Sequence, residues 1–219
     1  MWYHFAIIMD TMNFKIIEAN VSHLGFAEEI CLLMEESAKV RGTGIAKREP
    51  EYVRGKMLEG KAVIAFINDK LAGFCYVESW GHGKFVANSG LIVAPEFRKS
   101  GLARGIKKKT FALSRKLFPE AKIFGITTSL AVMKINSELG YKPVTFSELT
   151  DDDQFWKGCQ SCVNYDILMR NNRRMCLCTA MLYDPNKNEK KFDFNKKLNV
   201  LERFIQFTHR FINNKNSGV

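Results

Sequence analysis

No stretch of this 219-residue chain approaches the ~20 consecutive apolar residues that a membrane-crossing helix requires. The apolar opening, Met1 to Met9, lacks a basic leader and a small-residue cleavage pattern, which argues against a secretory signal and for a reducing compartment, the cytoplasm. Acids are in short supply: 23 Asp and Glu against 33 Lys and Arg leave a formal net charge of +10. Such a surplus favours anionic partners, whether a nucleotide cofactor, an acidic metabolite, nucleic acid or a membrane surface, and does not choose among them. No solenoid repeat is present. With 46% hydrophobic residues the chain can bury one substantial core, so disorder is a poor description of it.

Hydrophobic periodicity orders the elements. Phe14 to Glu18 reads as a strand, His23 to Val40 as a helix with Ile30, Leu33 and Met34 on one face, and Glu51 to Leu58 as a short helix entered through Pro50. Lys61 to Ile67 and Leu71 to Trp80 form a hairpin across Asn68-Asp69-Lys70, and a turn at Gly81-His82-Gly83 leads into a strand from Lys84 to Val93. A helix follows from about Gly101 to Leu117, with Leu102, Ile106, Leu113 and Leu117 along one side. Then come a strand, Lys122 to Thr127, a helix, Leu130 to Leu139, stopped by Gly140, and a short strand, Tyr141 to Val144. Hairpin strands followed by strand-helix-strand units predict an α/β class with a mixed sheet and helices on both faces. The expected boundaries are a lead-in at 1–13, one domain at 14–183 and a basic extension at 184–219 with an amphipathic helix near Leu198 to Ile212.

The segment from Val93 through Pro95, Arg98, Lys99, Ser100, Gly101, Leu102 and Ala103 sets a basic, small-residue loop between a strand and a helix. Free N–H groups and the dipole at a helix start favour phosphate, and small residues let it approach the backbone. Here the chain resembles the GNAT superfamily of acyltransferases. Arg98, Gly101 and Ala103 match its loop pattern of Arg or Gln, two residues, Gly, one residue, then Gly or Ala. The Val-x-Pro-x-x-Arg lead-in and the helix ending Leu139-Gly140-Tyr141 extend the resemblance over roughly residues 14–170.

The resemblance implies a mostly antiparallel sheet splayed at an acyl-CoA site, with acetyl-CoA or succinyl-CoA as donor. It implies that Leu91, Ile92 and Val93 offer backbone groups to the pantetheine arm and that Arg98 to Arg104 cradle the phosphates. Ser129 stands where the family often has a cofactor-touching Asn. Asn136 stands where the family often has a Tyr that protonates the leaving thiol; Asn is no acid but can orient a water or the thiol. Some members carry a Glu base on the fourth strand, where this chain has Ala87-Asn88-Ser89. The nearest carboxylate is Glu78 on the preceding strand, set against a solvent-facing role, and His82 reads as a turn residue.

Arg41 and Arg48, in the basic loop between the first two helices, suit carboxylate recognition. With the cysteine-bearing run after Trp156, that loop resembles bacterial N-acetylglutamate synthase-like acyltransferases, which implies a small acidic acceptor such as glutamate. Another amine acceptor (polyamine, antibiotic or protein lysine) and a zinc-bearing nucleic-acid-binding regulator are the alternatives; no nucleic acid or membrane partner is expected, and a homodimer is left open. Cys159, Cys162, Cys176 and Cys178 resemble a tetrathiolate set. If Val163 to Arg170 and Met175 to Leu182 pair as an extra C-terminal hairpin across Asn171-Asn172, the cysteines fall ~13 Å apart and are buried thiols rather than metal ligands. A longer irregular loop would restore the metal site.

Overall fold

Among the described residues the sheet has seven strands, and most of its elements follow from these patterns. The structure is a computed structural model that describes residues 14–41 and 47–188. In chain order it runs β1 (Phe14–Glu18), a 3-10 segment (Val21–Phe26), α1 (Ala27–Arg41), α2 (Pro50–Leu58), β2 (Ala62–Ile67), β3 (Lys70–Trp80) and β4 (Phe85–Val93). It continues with α3 (Leu102–Leu117), β5 (Lys122–Thr127), α4 (Leu130–Glu138), β6 (Lys142–Val144), α5 (Asp153–Lys157), α6 (Tyr165–Arg170), β7 (Thr179–Tyr183) and α7 (Pro185–Asn188). The described residues up to Pro185 form one compact unit, and Asn186 begins a second. The expected lead-in and the helix near Leu198 to Ile212 lie outside the described residues.

The strand order is β1-β2-β3-β4-β5-β7-β6. β1 to β4 are antiparallel neighbours, β4 and β5 are parallel, and β7 pairs antiparallel with β5 and β6. The β2–β3 turn places Asn68 and Asp69 at φ of 50° and 60°, the left-handed pair that matches strand twist in a two-residue hairpin loop. Alternation along β3 splits the core. Cys75 and Val77 pack under α3 with Leu102, Ile106 and Leu113, whereas Phe74 and Tyr76 pack under α1 and α2 with Ile30, Met34, Val53 and Met57. A third cluster, around Phe124, Trp156, Leu168 and Leu182, seats the segment after β6.

Three expectations are corrected. The first helix is delayed, because Asn20 caps a 3-10 turn by accepting from the Ser22 N–H at 3.0 Å, so α1 starts at Ala27. Leu117, expected on the α3 stripe, is 39% exposed; Phe118 takes the packing position there. The C-terminal hairpin does not form. Residues 165–170 are helical, held by an Arg170–Asp166 pair at 3.0 Å and by Asn171 Nδ2 donating to the Ile167 carbonyl at 2.7 Å, and β7 pairs with β5 and β6 instead.

A bulge in β4 governs the centre of the sheet. Phe74 is opposite Ile92 and Tyr76 is opposite Ser89, so Gly90 and Leu91 together face Cys75. Gly90 has φ +64°, and a Cβ there would lie 2.4 Å from the Tyr76 ring and 2.8 Å from the Met34 methyl. Only glycine fits. Gly90→Ala is therefore expected to lower unfolding free energy by about 2–4 kcal/mol, from left-handed strain plus overpacking. Denaturant unfolding checks it; a loss below about 1 kcal/mol would mean the bulge yields without strain.

Candidate active site

β4 and β5 pair only where Phe85, Val86 and Ala87 face Lys122, Ile123 and Phe124. Beyond that point the strands part. Asn88 to Leu91 on one side and Gly125 to Thr127 on the other line a cavity of about 610 Å³. β5 is satisfied by β7 on its far edge, so its near-edge N–H and C=O groups are left facing the gap. An extended ligand can pair with such edges as a strand would.

Two different sets of side chains enter this cavity. Tyr76 and Glu78 share one face of β3, with Arg48 and Tyr52 beside them. Arg48 Nε donates to the Tyr76 hydroxyl at 2.8 Å, and its guanidinium stands 5.2 Å from the Tyr52 ring centre. That holds a cation at the cavity wall with donors to spare. Glu78 is raised above the usual carboxylate range by burial, and the nearby Arg48 charge and a hydrogen bond from Ser89 pull the other way.

On the opposite face, under α3 and α4, the cavity meets Asn88, Lys107 and Asn136. Asn88 Nδ2 donates to Ser114 Oγ at 2.6 Å, and the Tyr141 hydroxyl donates to Asn88 Oδ1 at 3.2 Å. Asn136 Nδ2 donates to Met181 Sδ at 3.8 Å, while its buried Oδ1 has no partner among the described residues. Such an acceptor is rare in a folded chain and marks a place for a ligand or water. Lys107 is 2% exposed, with its ammonium 5.4 Å from the Tyr141 ring centre. Burial lowers it from 10.5 to about 8, and the Cys75 thiol is the ionisable neighbour that opposes the shift.

The basic loop lies on the surface after β4 rather than in the cavity wall. Arg98 Nε donates to the Val93 carbonyl and its NH2 group to Ser37 Oγ, both at 3.2 Å, which ties the loop to α1. Ser100 Oγ donates to the Phe97 carbonyl at 2.7 Å and accepts from the Leu102 N–H at 3.4 Å. Gly101 caps α3 at φ +86° with nothing within 4 Å of a built Cβ, so the helix start is open to solvent. Lys99 is exposed beside it, and Ala103 is the second residue of the helix. Arg104 is engaged by Glu138 through bonds of 2.7 and 3.0 Å, an exposed pair that a phosphate could displace at little cost.

The structure therefore brings Glu78, Asn136, Arg48 and Leu91 to one cavity and puts the Arg98 to Arg104 loop at the end of the same strand. Ile92 is buried in the α1–α2 core and Val93 packs against the α3 cluster, so each offers backbone alone. Ser129 caps α4, accepting from the Val132 N–H at 3.4 Å, and lines a smaller neighbouring cavity. His82 lies in a separate surface groove. The Arg41 side chain and residues 42–46 lie outside the described residues. Lys107 went unread in the sequence, and Asn88 was named there without a role. The signal for Lys107 was a lysine in step with Ala103 and Phe111, on the flank of the α3 stripe.

With a helix in place of the hairpin, the four cysteines all line that smaller cavity, of about 100 Å³. Burial and the neighbouring thiols push Cys159 up to about 11 and Cys178 up to about 12. Among the described residues no group of three or more His, Cys, Asp or Glu side chains is placed to hold a metal ion.

No protein-family model matches the chain. Among solved structures, N-acetylglutamate synthase from Neisseria gonorrhoeae, complexed with coenzyme A and N-acetyl-glutamate, superposes with a TM-score of 0.56 over 78% of this chain and 35% of its own, at 15% identity. The yncA protein of Salmonella typhimurium, with acetyl-CoA, gives 0.57 over 79% of this chain and 94% of its own, at 14% identity. The chain has the GNAT fold. A curated relative, the thialysine N-epsilon-acetyltransferase of Caenorhabditis elegans, is 32% identical over 109 residues, 47% of this chain and 66% of that protein. The chain thus spans just under two thirds of that relative and about a third of the synthase. The loop from Arg98 to Ala103 lies between β4 and the start of α3, as its sequence pattern has it. No helix among the described residues is long and apolar enough to cross a membrane.

Burial of the Lys107 ammonium carries a stability signature. Its folded value, about 8, lies below the ordinary 10.5, so the folded state holds the proton less tightly than the unfolded chain. The penalty is fully present below pH 8, shrinks as pH rises and is gone above 10.5. Lys107→Leu should stabilise the protein by on the order of 3 kcal/mol at neutral pH, with the gain fading across that window. Unfolding at a series of pH values tests this, and a gain that does not change with pH would contradict it.

Proposed function

We propose that this chain is an acyl-CoA-dependent N-acyltransferase that moves an acetyl or succinyl group onto the amine of a small acidic amino acid, glutamate first. The observation that carries the reading is the opening between β4 and β5, whose unpaired strand edges lead from an exposed helix start into a cavity holding Glu78 and Arg48. The strand edges at Leu91 to Val93 would receive the pantetheine arm, and the open N–H groups and cations from Arg98 to Arg104 the diphosphate. Ser129, about two turns before Asn136, lies on the cofactor's side of the cavity in this reading.

Glu78 is the base. It faces the gap, and burial raises its proton affinity, so it can draw a proton from the acceptor amine directly or through a water. Arg48, fixed by Tyr76 and Tyr52, takes a carboxylate of the acceptor and sets its amine toward Glu78. The bulge at Leu91 offers a backbone N–H to the thioester carbonyl. Glutamate brings two carboxylates to a cationic wall, and the synthase that shares the fold was solved with N-acetyl-glutamate. Such an acceptor goes with amino-acid biosynthesis in the cytoplasm.

A second reading is favoured by one observation. The cavity wall pairs acids, Glu78 and Glu49, with Arg48, which also suits an amino acid with a side-chain amine and an α-carboxylate, as the name of the thialysine relative describes. Polyamines, which lack a carboxylate for Arg48, fit less well.

Thiol release from acetyl- and succinyl-CoA against glutamate, lysine, thialysine and spermidine separates these. Turnover of glutamate, with the KM for it raised about tenfold or more in Arg48→Met, is expected; turnover of spermidine alone would overturn the acceptor reading. Gly101→Glu, which sets a carboxylate at the open helix start, is expected to abolish CoA binding without unfolding the chain. Unchanged affinity by calorimetry would count against the loop.

A further inference from the structure

The face of the cavity opposite Glu78 contains a cation that acceptor recognition does not use. Lys107 comes off the second turn of α3. One turn before Thr110, whose hydroxyl reaches Cys75, and beside Ile106, whose methyl lies against Gly73, it stands level with the bulge where Gly90 and Leu91 face Cys75. Its ammonium is buried, opens on the cavity and rests over the Tyr141 ring without an ion-pair partner among the described residues. Across from it the orphan Oδ1 of Asn136 offers an acceptor in the same cavity. A buried, unpaired ammonium is expensive to keep, and nothing in the packing of α3 calls for one.

We infer that Lys107 is the catalytic acid, which delivers its proton to the sulfur of the departing thiol. The inference rests on the acyltransferase reading above and adds the group that completes it. The amine nitrogen gives a proton to Glu78 and forms the C–N bond, the C–S bond breaks, and the sulfur's new electron pair takes a proton from the Lys107 ammonium. Amide and thiol leave; Glu78 then loses a proton and Lys107 gains one through cavity water, so the overall balance is amine plus thioester to amide plus thiol. Asn136 Oδ1 is a positioning acceptor, which holds the ammonium or the thiol S–H in line.

The other groups around Lys107 cannot do this. The Cys75 thiol of β3 already donates to the Ser89 carbonyl at 3.3 Å, and burial raises its proton affinity. The Tyr141 hydroxyl donates to Asn88, and burial pushes it well above the ordinary phenol range. Tyr183 of β7 lies behind Tyr141, with ring centres 6.2 Å apart. Glu78 and Arg48 sit on the opposite face of β3 from α3. Burial works in favour of Lys107: lowered to about 8, its ammonium comes within reach of an alkyl thiol, whose pKa is about 8.5, so a proton can pass to the thiolate at little cost.

Ultraviolet titration of the thiol of bound CoA tests the inference without turnover. In the wild type the ammonium should let the thiolate band appear at a proton concentration at least about tenfold higher than in Lys107→Leu, and Lys107→Arg should keep that shift. In turnover, both variants should lose about 10²–10³-fold in kcat with the KM for acetyl-CoA within about threefold, because leucine holds no proton and arginine gives none up. Identical titrations in all three proteins, or wild-type kcat in Lys107→Leu, would overturn the assignment and leave the acyltransferase reading standing. Failure of CoA to bind the wild type would sink both.

Discussion

The arrangement of the molecule depends on one interruption: two parallel strands that pair for three residues and then separate. β4 is bent by its bulge at Gly90, which leaves Tyr76 and Met34 no room for a side chain there. β5 is held straight by β7 on its other edge. Sheet twist then carries the free ends apart, and each exposes backbone groups that water or a ligand must satisfy. The cavity, the two polar faces and the open helix start all lie along that gap.

Separation of the strands also separates the charges. Alternation along β3 sends Glu78 to the α1–α2 face and Cys75 to the α3 face, so the carboxylate and the Lys107 ammonium reach one cavity from opposite sides of the sheet. They cannot neutralise one another as a buried salt bridge, and both are shifted by burial toward their neutral forms. Opposed shifts of this kind are how a site keeps an acid and a base in one pocket near neutral pH. The segment after β6, docked by Phe155 and Trp156 on Phe124 and Phe146, closes the remaining wall.

Much of this was legible in the residues. Strand and helix periods located β1 to β5 and α2 to within a residue or two, because those elements are long, strongly patterned and bounded by Pro or by Gly and Asn turns. The place of the loop at Arg98 to Ala103, between a strand and a helix start, was legible since Pro95 and Gly101 are local punctuation in the chain. Asn136 was named through the resemblance, at the position where the family often has a Tyr, and Glu78 as the nearest carboxylate to the strand where some members carry a Glu. The hairpin over Val163 to Arg170 and Met175 to Leu182 was misread: Val163 to Arg170 has strand-like composition, and its i,i+4 pairing and the burial of Leu168 go with a helix. Lys107 was hidden for a different reason, as a lysine on an amphipathic helix looks like a solvated residue until Tyr141 and the strand gap are brought over it by long-range contacts.

A crystal structure of the protein with coenzyme A bears most directly on whether the strand gap is the heart of the molecule. The account predicts the pantetheine arm between β4 and β5, hydrogen-bonded to the backbone beyond Ala87 and Phe124, with the diphosphate at the N–H groups following Gly101 and the sulfur beside Lys107. Coenzyme A bound elsewhere, with the gap empty or its strands zipped together, would contradict it.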